Sequence, residues 1–139
     1  MKIKLDPGAY LPSRAHANDA GLDLRAKESA TIPPHSAMTF GTGVHVQLPK
    51  GTAGLLVSKS GMNALNHVTS TGLIDAGYRG EIKVTLHNNK SIPFVVDQGQ
   101  KISQLVIIHV SYEDVEIVDE LDKSSDGREN DGFGSTGRF

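Results

Sequence analysis

The sequence predicts an all-β domain, a sandwich or jelly roll carrying one short helix. Three observations point there. Fifteen glycines and six prolines punctuate the 139 residues. Between them lie short runs in which apolar and polar residues alternate, the period of a half-buried strand. Only one stretch, residues 62–68, reads as helix.

Taken in order, Pro33-Pro34 reads as the first clear turn. Val44, Val46 and Leu48 then alternate with His45 and Gln47, which gives a strand with one buried face. Pro49-Lys50-Gly51 turns the chain. Ser58-Lys59-Ser60-Gly61 leads into the helix, with Ser60 as its expected N-cap. Ile82, Val84 and Leu86 alternate with Glu81, Lys83, Thr85 and His87, a second half-buried strand, and Asn88-Asn89-Lys90 closes it as a turn. Leu105-Val106-Ile107-Ile108 is a continuous apolar run, the pattern of a strand buried on both faces. After Val118 apolar residues thin out. We therefore expect a domain over residues 1–121 and a flexible C-terminal arm over residues 122–139, too polar and glycine-rich to pack on its own.

Composition excludes several function classes. There is no cysteine, hence no disulfide scaffold, zinc finger or cysteine nucleophile. No apolar run approaches the ~18 residues of a membrane helix, and the N-terminus lacks the apolar core of a secretory signal. The expected compartment is a cytoplasm, and no membrane partner is expected. Net charge is −2. Residues 1–112 are mildly basic and residues 113–139 acidic, which is not the concentrated positive field of a nucleic-acid binder. A small anionic ligand fits that balance.

Three places could carry chemistry. Asp75, at the end of an apolar stretch and inside a glycine-bounded turn, reads either as a base at a pocket edge or as a turn aspartate capping its own loop. Ser58-Lys59-Ser60-Gly61 offers hydroxyls, a cation and helix-start amides to an anion, or is an ordinary cap. Asp23, between Leu22 and Leu24, reads either as a carboxylate holding a metal's waters or as a strand acid paired with a cation. The six histidines show no metal-ligand spacing and read as structural or solvated.

Together and in this order, these segments resemble the five motifs of the trimeric dUTPases. Ala20-Gly21-Leu22-Asp23-Leu24 is similar to the first, and Lys59-Ser60-Gly61 to the second, usually Arg-Ser-Gly. Gly72-Leu73-Ile74-Asp75-Ala76-Gly77-Tyr78-Arg79-Gly80 matches the third almost throughout. Gly99-Gln100-Lys101-Ile102-Ser103-Gln104-Leu105 resembles the fourth. Arg128 with Gly132-Phe133-Gly134-Ser135-Thr136-Gly137 resembles the fifth. The match runs from residue 20 to residue 138.

The resemblance implies a jelly-roll domain of the β-clip, dUTPase-like kind, in a homotrimer whose active sites are shared between subunits. It implies hydrolysis of dUTP to dUMP and diphosphate by attack of water on the α-phosphorus, with Asp75 as general base and Mg²⁺ as cofactor. Mg²⁺ is held mainly by the triphosphate, with Asp23 reaching it through water. Thr69, Gly72, Leu73, Ile74, Asp75 and Tyr78 fall at the nucleoside pocket. Lys59, Ser60, Gly61, Lys83 and Gln104 also fall among the substrate-binding positions. Arg128, Phe133, Gly134, Ser135 and Thr136 belong to an arm that closes over the nucleotide.

This chain departs from the family pattern at several positions. Lys59 replaces an arginine, so a bidentate fork becomes a point charge. Thr69 stands where many relatives have an asparagine, and Ser58 where proline is usual. Lys101 replaces an arginine and is expected to be neutral for catalysis. Glu129 and Asp131 replace glycines and add negative charge to the arm. Two other readings share the fold: a dCTP deaminase relative, and a regulatory protein acting on a partner that the sequence leaves unknown.

Overall fold

A computed structural model describes residues 1–125. Arg128, Glu129, Asp131, Phe133, Gly134, Ser135 and Thr136 lie outside the described residues, as does most of the expected arm. The strands are β1 (Lys2–Leu5), β2 (Gly21–Arg25), β3 (Ala30–Ile32), β4 (Ser36–Gly41), β5 (Val44–Gln47) and β6 (Thr52–Val57). After helix α1 (Ser60–Asn66) come β7 (Val68–Thr69), β8 (Thr71–Ile74), β9 (Lys83–Asn88), β10 (Phe94–Val96) and β11 (Lys101–His109). All pairings are antiparallel. A four-stranded sheet runs β2-β11-β6-β8 and a three-stranded one β4-β9-β7, while β1-β5 and β3-β10 form two ribbons. This is the all-β, one-helix domain that the sequence predicts.

Alternation explains where the core lies. In β5, Val44 and Val46 are buried and His45 and Gln47 are not. In β9, Val84, Leu86 and Asn88 are buried between more exposed neighbours. One cluster gathers Leu24, Ile32, Val44, Ile82, Leu86, Ile102 and Leu105, all essentially inaccessible. At roughly 25 cal/mol per Å² of apolar surface, each fully buried Leu or Ile contributes about 1.5–3 kcal/mol.

Four local expectations change. The helix covers Ser60–Asn66 rather than residues 62–68. His67 takes a left-handed conformation (φ 52°) and its N–H bonds back to the Met62 and Asn63 carbonyls, so the helix stops there and Val68 enters β7. Lys59, not Ser60, is the N-cap, and no side chain caps the helix start. In β11, Leu105 is fully buried but Val106, Ile107 and Ile108 are only half-buried within the chain. Asn88 is not a solvated turn residue either. Its buried amide donates to the carbonyls of Ile32, Pro33 and Ile92 and accepts from the Lys90 N–H, tying the β3–β4 turn to the end of β9. Among the described residues, no helix is long and apolar enough to cross a membrane.

Candidate active site

Asp75 follows the last residue of β8, an edge strand of the four-stranded sheet. One side of β8 pairs with β6, setting Gly72 opposite Leu56 and Leu73 opposite Leu55. Among the described residues no strand pairs with the other side, so its outward backbone groups are available to a ligand. Beyond Asp75 the chain turns sharply, and the Tyr78 N–H bonds to the Asp75 carbonyl at 3.0 Å. The Tyr78 hydroxyl donates to the Glu81 carbonyl at 3.0 Å, which lays the ring over Gly80. A Cβ at Gly80 would overlap that hydroxyl, so the fold of Tyr78 requires glycine there.

The result is a cavity of about 260 Å³ lined by Leu73, Ile74, Asp75, Tyr78, Glu81 and Lys83. Leu73 and Tyr78 are largely exposed in it. Among the described residues, no hydrogen bond or ion pair engages the Asp75 carboxylate. It is therefore not a self-capping turn aspartate. An exposed carboxylate at a cavity rim can accept a proton from a bound water.

A second cluster forms around Asp23. This residue is 3% exposed on β2, in register with Gln104 on β11. Its Oδ1 accepts the Lys59 ammonium at 2.6 Å and the Gln104 amide at 3.3 Å, and its Oδ2 accepts the Lys101 ammonium at 2.6 Å. Gly21 permits this packing, because a Cβ there would come within 2.9 Å of Gln104. Burial pushes the Asp23 carboxyl up, but bonds from Lys101 and Lys59 outweigh it and hold the group below its ordinary value. The cation-paired reading of Asp23 is thus realised. Lys59 is a quarter exposed, placed by its bond to Asp23. Ser60 and Gly61 are exposed at the start of α1. Ser58 lies behind them, its hydroxyl accepting the Ser70 N–H and donating to the Ser70 carbonyl.

Among the described residues, no set of three His, Asp or Glu side chains can hold a metal. Asp23 uses three of about four carboxylate acceptor positions. That leaves one acceptor position, on Oδ2, which a metal-bound water can use.

Within one chain, no described hydrogen bond, ion pair or shared cavity links Asp75 or Tyr78 to Lys59, Ser60 or Gln104. Lys83 does line the Asp75 cavity, and with Glu81 also a neighbouring one of about 510 Å³ beside Lys27 and Phe40. Thr69 is half-buried on β7, paired with His87 and away from both clusters' contacts. Sequence reasoning passed over Glu81, whose carboxylate accepts the Gly43 N–H at 2.8 Å, and Lys101, expected to be neutral. Both sit at polar positions whose partners are distant in the chain.

The dUTPase family model matches residues 8–137. The chain is 45% identical to the deoxyuridine 5'-triphosphate nucleotidohydrolase of Corynebacterium glutamicum, over 98% of its own length and 93% of the relative's. It is equally similar to the Corynebacterium efficiens protein of that name, covering 76% of it. The dUTPase of Staphylococcus bacteriophage 80alpha, solved with dUpNHpp, superposes with a TM-score of 0.91 at 30% identity, covering 98% of this chain and 97% of that one. A mutant dUTPase from phage phi11 of S. aureus, whose structure reveals coordination of a structural Mg(II) ion, gives 0.80 at 28% identity, covering 86% and 96%. With four of the five motifs placed on this fold, and with a family model spanning nearly the whole chain, the protein belongs to the dUTPase family.

Proposed function

We propose that the protein hydrolyses dUTP to dUMP and diphosphate at the cavity beneath β8, with Asp75 as general base. The observation that carries this reading is the exposed, unengaged Asp75 carboxylate beside Tyr78 at the free edge of β8, in a chain of the dUTPase family. Asp75 takes a proton from water as the water oxygen bonds to the α-phosphorus. The bond from that phosphorus to the bridging oxygen breaks, and diphosphate leaves with the electron pair.

Backbone groups on the open side of Gly72, Leu73 and Ile74 pair with the uracil edge. Cytosine presents a donor where uracil presents an acceptor, and so leaves pocket groups unpaired. Tyr78 packs on the sugar and excludes a 2′-hydroxyl by contact. Lys59, oriented by Asp23, with Ser60, Gly61 and Gln104 and with Lys83 at the cavity wall, binds phosphates. Thr69 meets the base through its backbone, in a site completed by another subunit. Asp23, through a water on its remaining Oδ2 acceptor position, would help hold a Mg²⁺ that arrives with the triphosphate, and that ion would supply charge neutralisation at the phosphate oxygens. Arg128, Phe133, Gly134, Ser135 and Thr136 close over the nucleotide, Phe133 by stacking on the base. A chain ending at Gly127 should fold yet lose at least about tenfold in kcat/KM, by analogy with the ~1–3 kcal/mol of a base–aromatic stack.

The assembly we propose is a homotrimer. Among the described residues no bond joins the Asp75 and Asp23 clusters, and a second subunit would complete the site. Tyr112, Val115, Ile117 and Leu121 are 68%, 93%, 96% and 87% exposed, apolar surface that another subunit would cover. We place the enzyme in the cytoplasm of a bacterium or a phage-infected host. Incubation with dUTP, dCTP, dTTP and UTP in Mg²⁺, with product identification, tests the reading. We expect only dUTP to turn over, giving dUMP and diphosphate. Release of ammonia from dCTP, or comparable turnover of UTP, would contradict it.

A further inference from the structure

His45 stands on the outward phase of β5, where the alternation makes it a solvated strand residue. It is nevertheless only 18% exposed. Its Nδ1 lies 2.9 Å from the Arg79 carbonyl oxygen and its Nε2 lies 3.1 Å from Asp6 Oδ2. Arg79 belongs to the turn that carries Asp75 and Tyr78. Asp6 follows β1, the strand paired with β5. One imidazole thus bridges the N-terminal ribbon and the catalytic turn.

The chemistry of the two partners decides what the ring must be. A carbonyl and a carboxylate only accept. A neutral imidazole has one N–H, so it satisfies one partner and turns a lone pair on the other. The imidazolium has two N–H groups and satisfies both. We propose that His45 is a positioning residue for the reaction: carrying both protons, it tethers the 75–80 turn to the N-terminal ribbon, and losing one proton releases one tether. The ligand it serves is the nucleotide of the reading above, on which this inference rests.

The surroundings favour the doubly protonated ring. The Arg79 carbonyl bond, then the Asp6 carboxylate, raise the imidazole above its ordinary 6.5, against burial and the nearby Lys4. The same bond lowers Asp6, aided by Lys4 and Lys27. Lys4 stands opposite His45 in the β1-β5 register, and Lys2 lines the same cavity as both. Arg79 lines that cavity too, but its guanidinium is turned back onto the Ala76 and Tyr78 carbonyls. A group raised on folding contributes fully below its ordinary value, and the contribution is lost as pH rises through the folded value. The tether is therefore intact in acid below the ordinary imidazole value and is lost as pH rises through the raised folded value.

Two other bonds also hold this turn. The Ile82 N–H bonds to the Val44 carbonyl at 2.8 Å, and the Gly43 N–H to the Glu81 carboxylate. Losing the His45 tether should loosen the turn without unfolding it. Bound nucleotide then has to reorder Tyr78 and Asp75, which raises KM and leaves kcat within about twofold.

The test combines the ring's titration with the pH dependence of KM. NMR should find the His45 imidazole titrating above the ordinary histidine value, and lower in Asp6→Asn. Amide protection of Tyr78 should fall as the ring deprotonates. From about pH 6 to about pH 9, KM for dUTP should rise about twofold to tenfold in the parent, the range expected for one hydrogen bond. In His45→Gln, which is neutral throughout, KM should already be raised at about pH 6 and lack this inflection. A merely structural role would lower the active fraction, moving kcat and leaving KM unchanged. An ordinary or depressed imidazole titration, or the same KM inflection in His45→Gln, would overturn the proposal. Absence of dUTP hydrolysis in the parent would instead remove the reading it rests on, and the titration and protection measurements would still decide the tether.

Discussion

Asp75→Asn should lower kcat for dUTP by about 10²–10⁴-fold, the usual contribution of a positioned general base. The substitution keeps the size and shape of the side chain and removes only its capacity to take a proton. Among the described residues nothing bonds to that carboxylate, so the fold loses no contact when its charge disappears. Tyr78 continues to bond to the Asp75 carbonyl through its main chain. Binding of a non-hydrolysable dUTP analogue, measured by calorimetry, should therefore stay near the parent value while turnover collapses. Near-parent turnover in Asp75→Asn would mean that the base is elsewhere.

Asp23→Asn should act on both stability and substrate affinity. The carboxylate is buried and is the shared counter-charge of Lys59 and Lys101, 2.6 Å from each. Asparagine keeps the shape but leaves two ammonium groups converging on a neutral amide. Loss of charge-assisted bonds at a buried position costs about 1–3 kcal/mol of unfolding free energy. The pH dependence has a definite direction. A carboxyl held low by folding stabilises the protein above its ordinary value of 3.8, and this is lost as pH falls through the folded value. Urea unfolding near neutrality should show the difference between parent and variant, and in acid the two should converge. KM for dUTP should rise as well, because Lys59 loses the partner that orients it. Equal stability at neutral pH would contradict the network.

Much of this fold was legible because burial in strands follows a local rule. The alternation of Val44 and Val46, and of Val84 and Leu86, needs only the period of a strand and one buried face. Where several elements compete, the local rule gives way. His67 ends the helix through a left-handed turn that no apolar pattern marks. Asn88 looks like a turn residue until two carbonyls from the distant β3–β4 turn, with that of Ile92, converge on it. Residues 106–108 are continuous in apolar character, yet only part of that surface is covered by the chain itself.

The site was legible to a different extent. Asp75, Tyr78, Lys59, Gln104 and Asp23 could be named because they fall in motifs. The partnership of Asp23 with Lys59 and Gln104 could not be, because β2 meets β11 only by long-range pairing. His45 shows the limit most clearly. Its alternation places it on the solvent side, and there it bridges two segments separated from it by more than thirty residues in either direction. A lone sequence carries no signal for such a bridge. Glu81 and Lys101 were passed over for the same reason.

Hydrolysis in water enriched in heavy oxygen tests the central claim most directly. If water deprotonated by Asp75 attacks the α-phosphorus of dUTP, mass spectrometry of a single turnover will find one heavy oxygen in dUMP and none in diphosphate. Label in the diphosphate, or products dUDP and phosphate, would place the attack at another phosphorus and contradict the account.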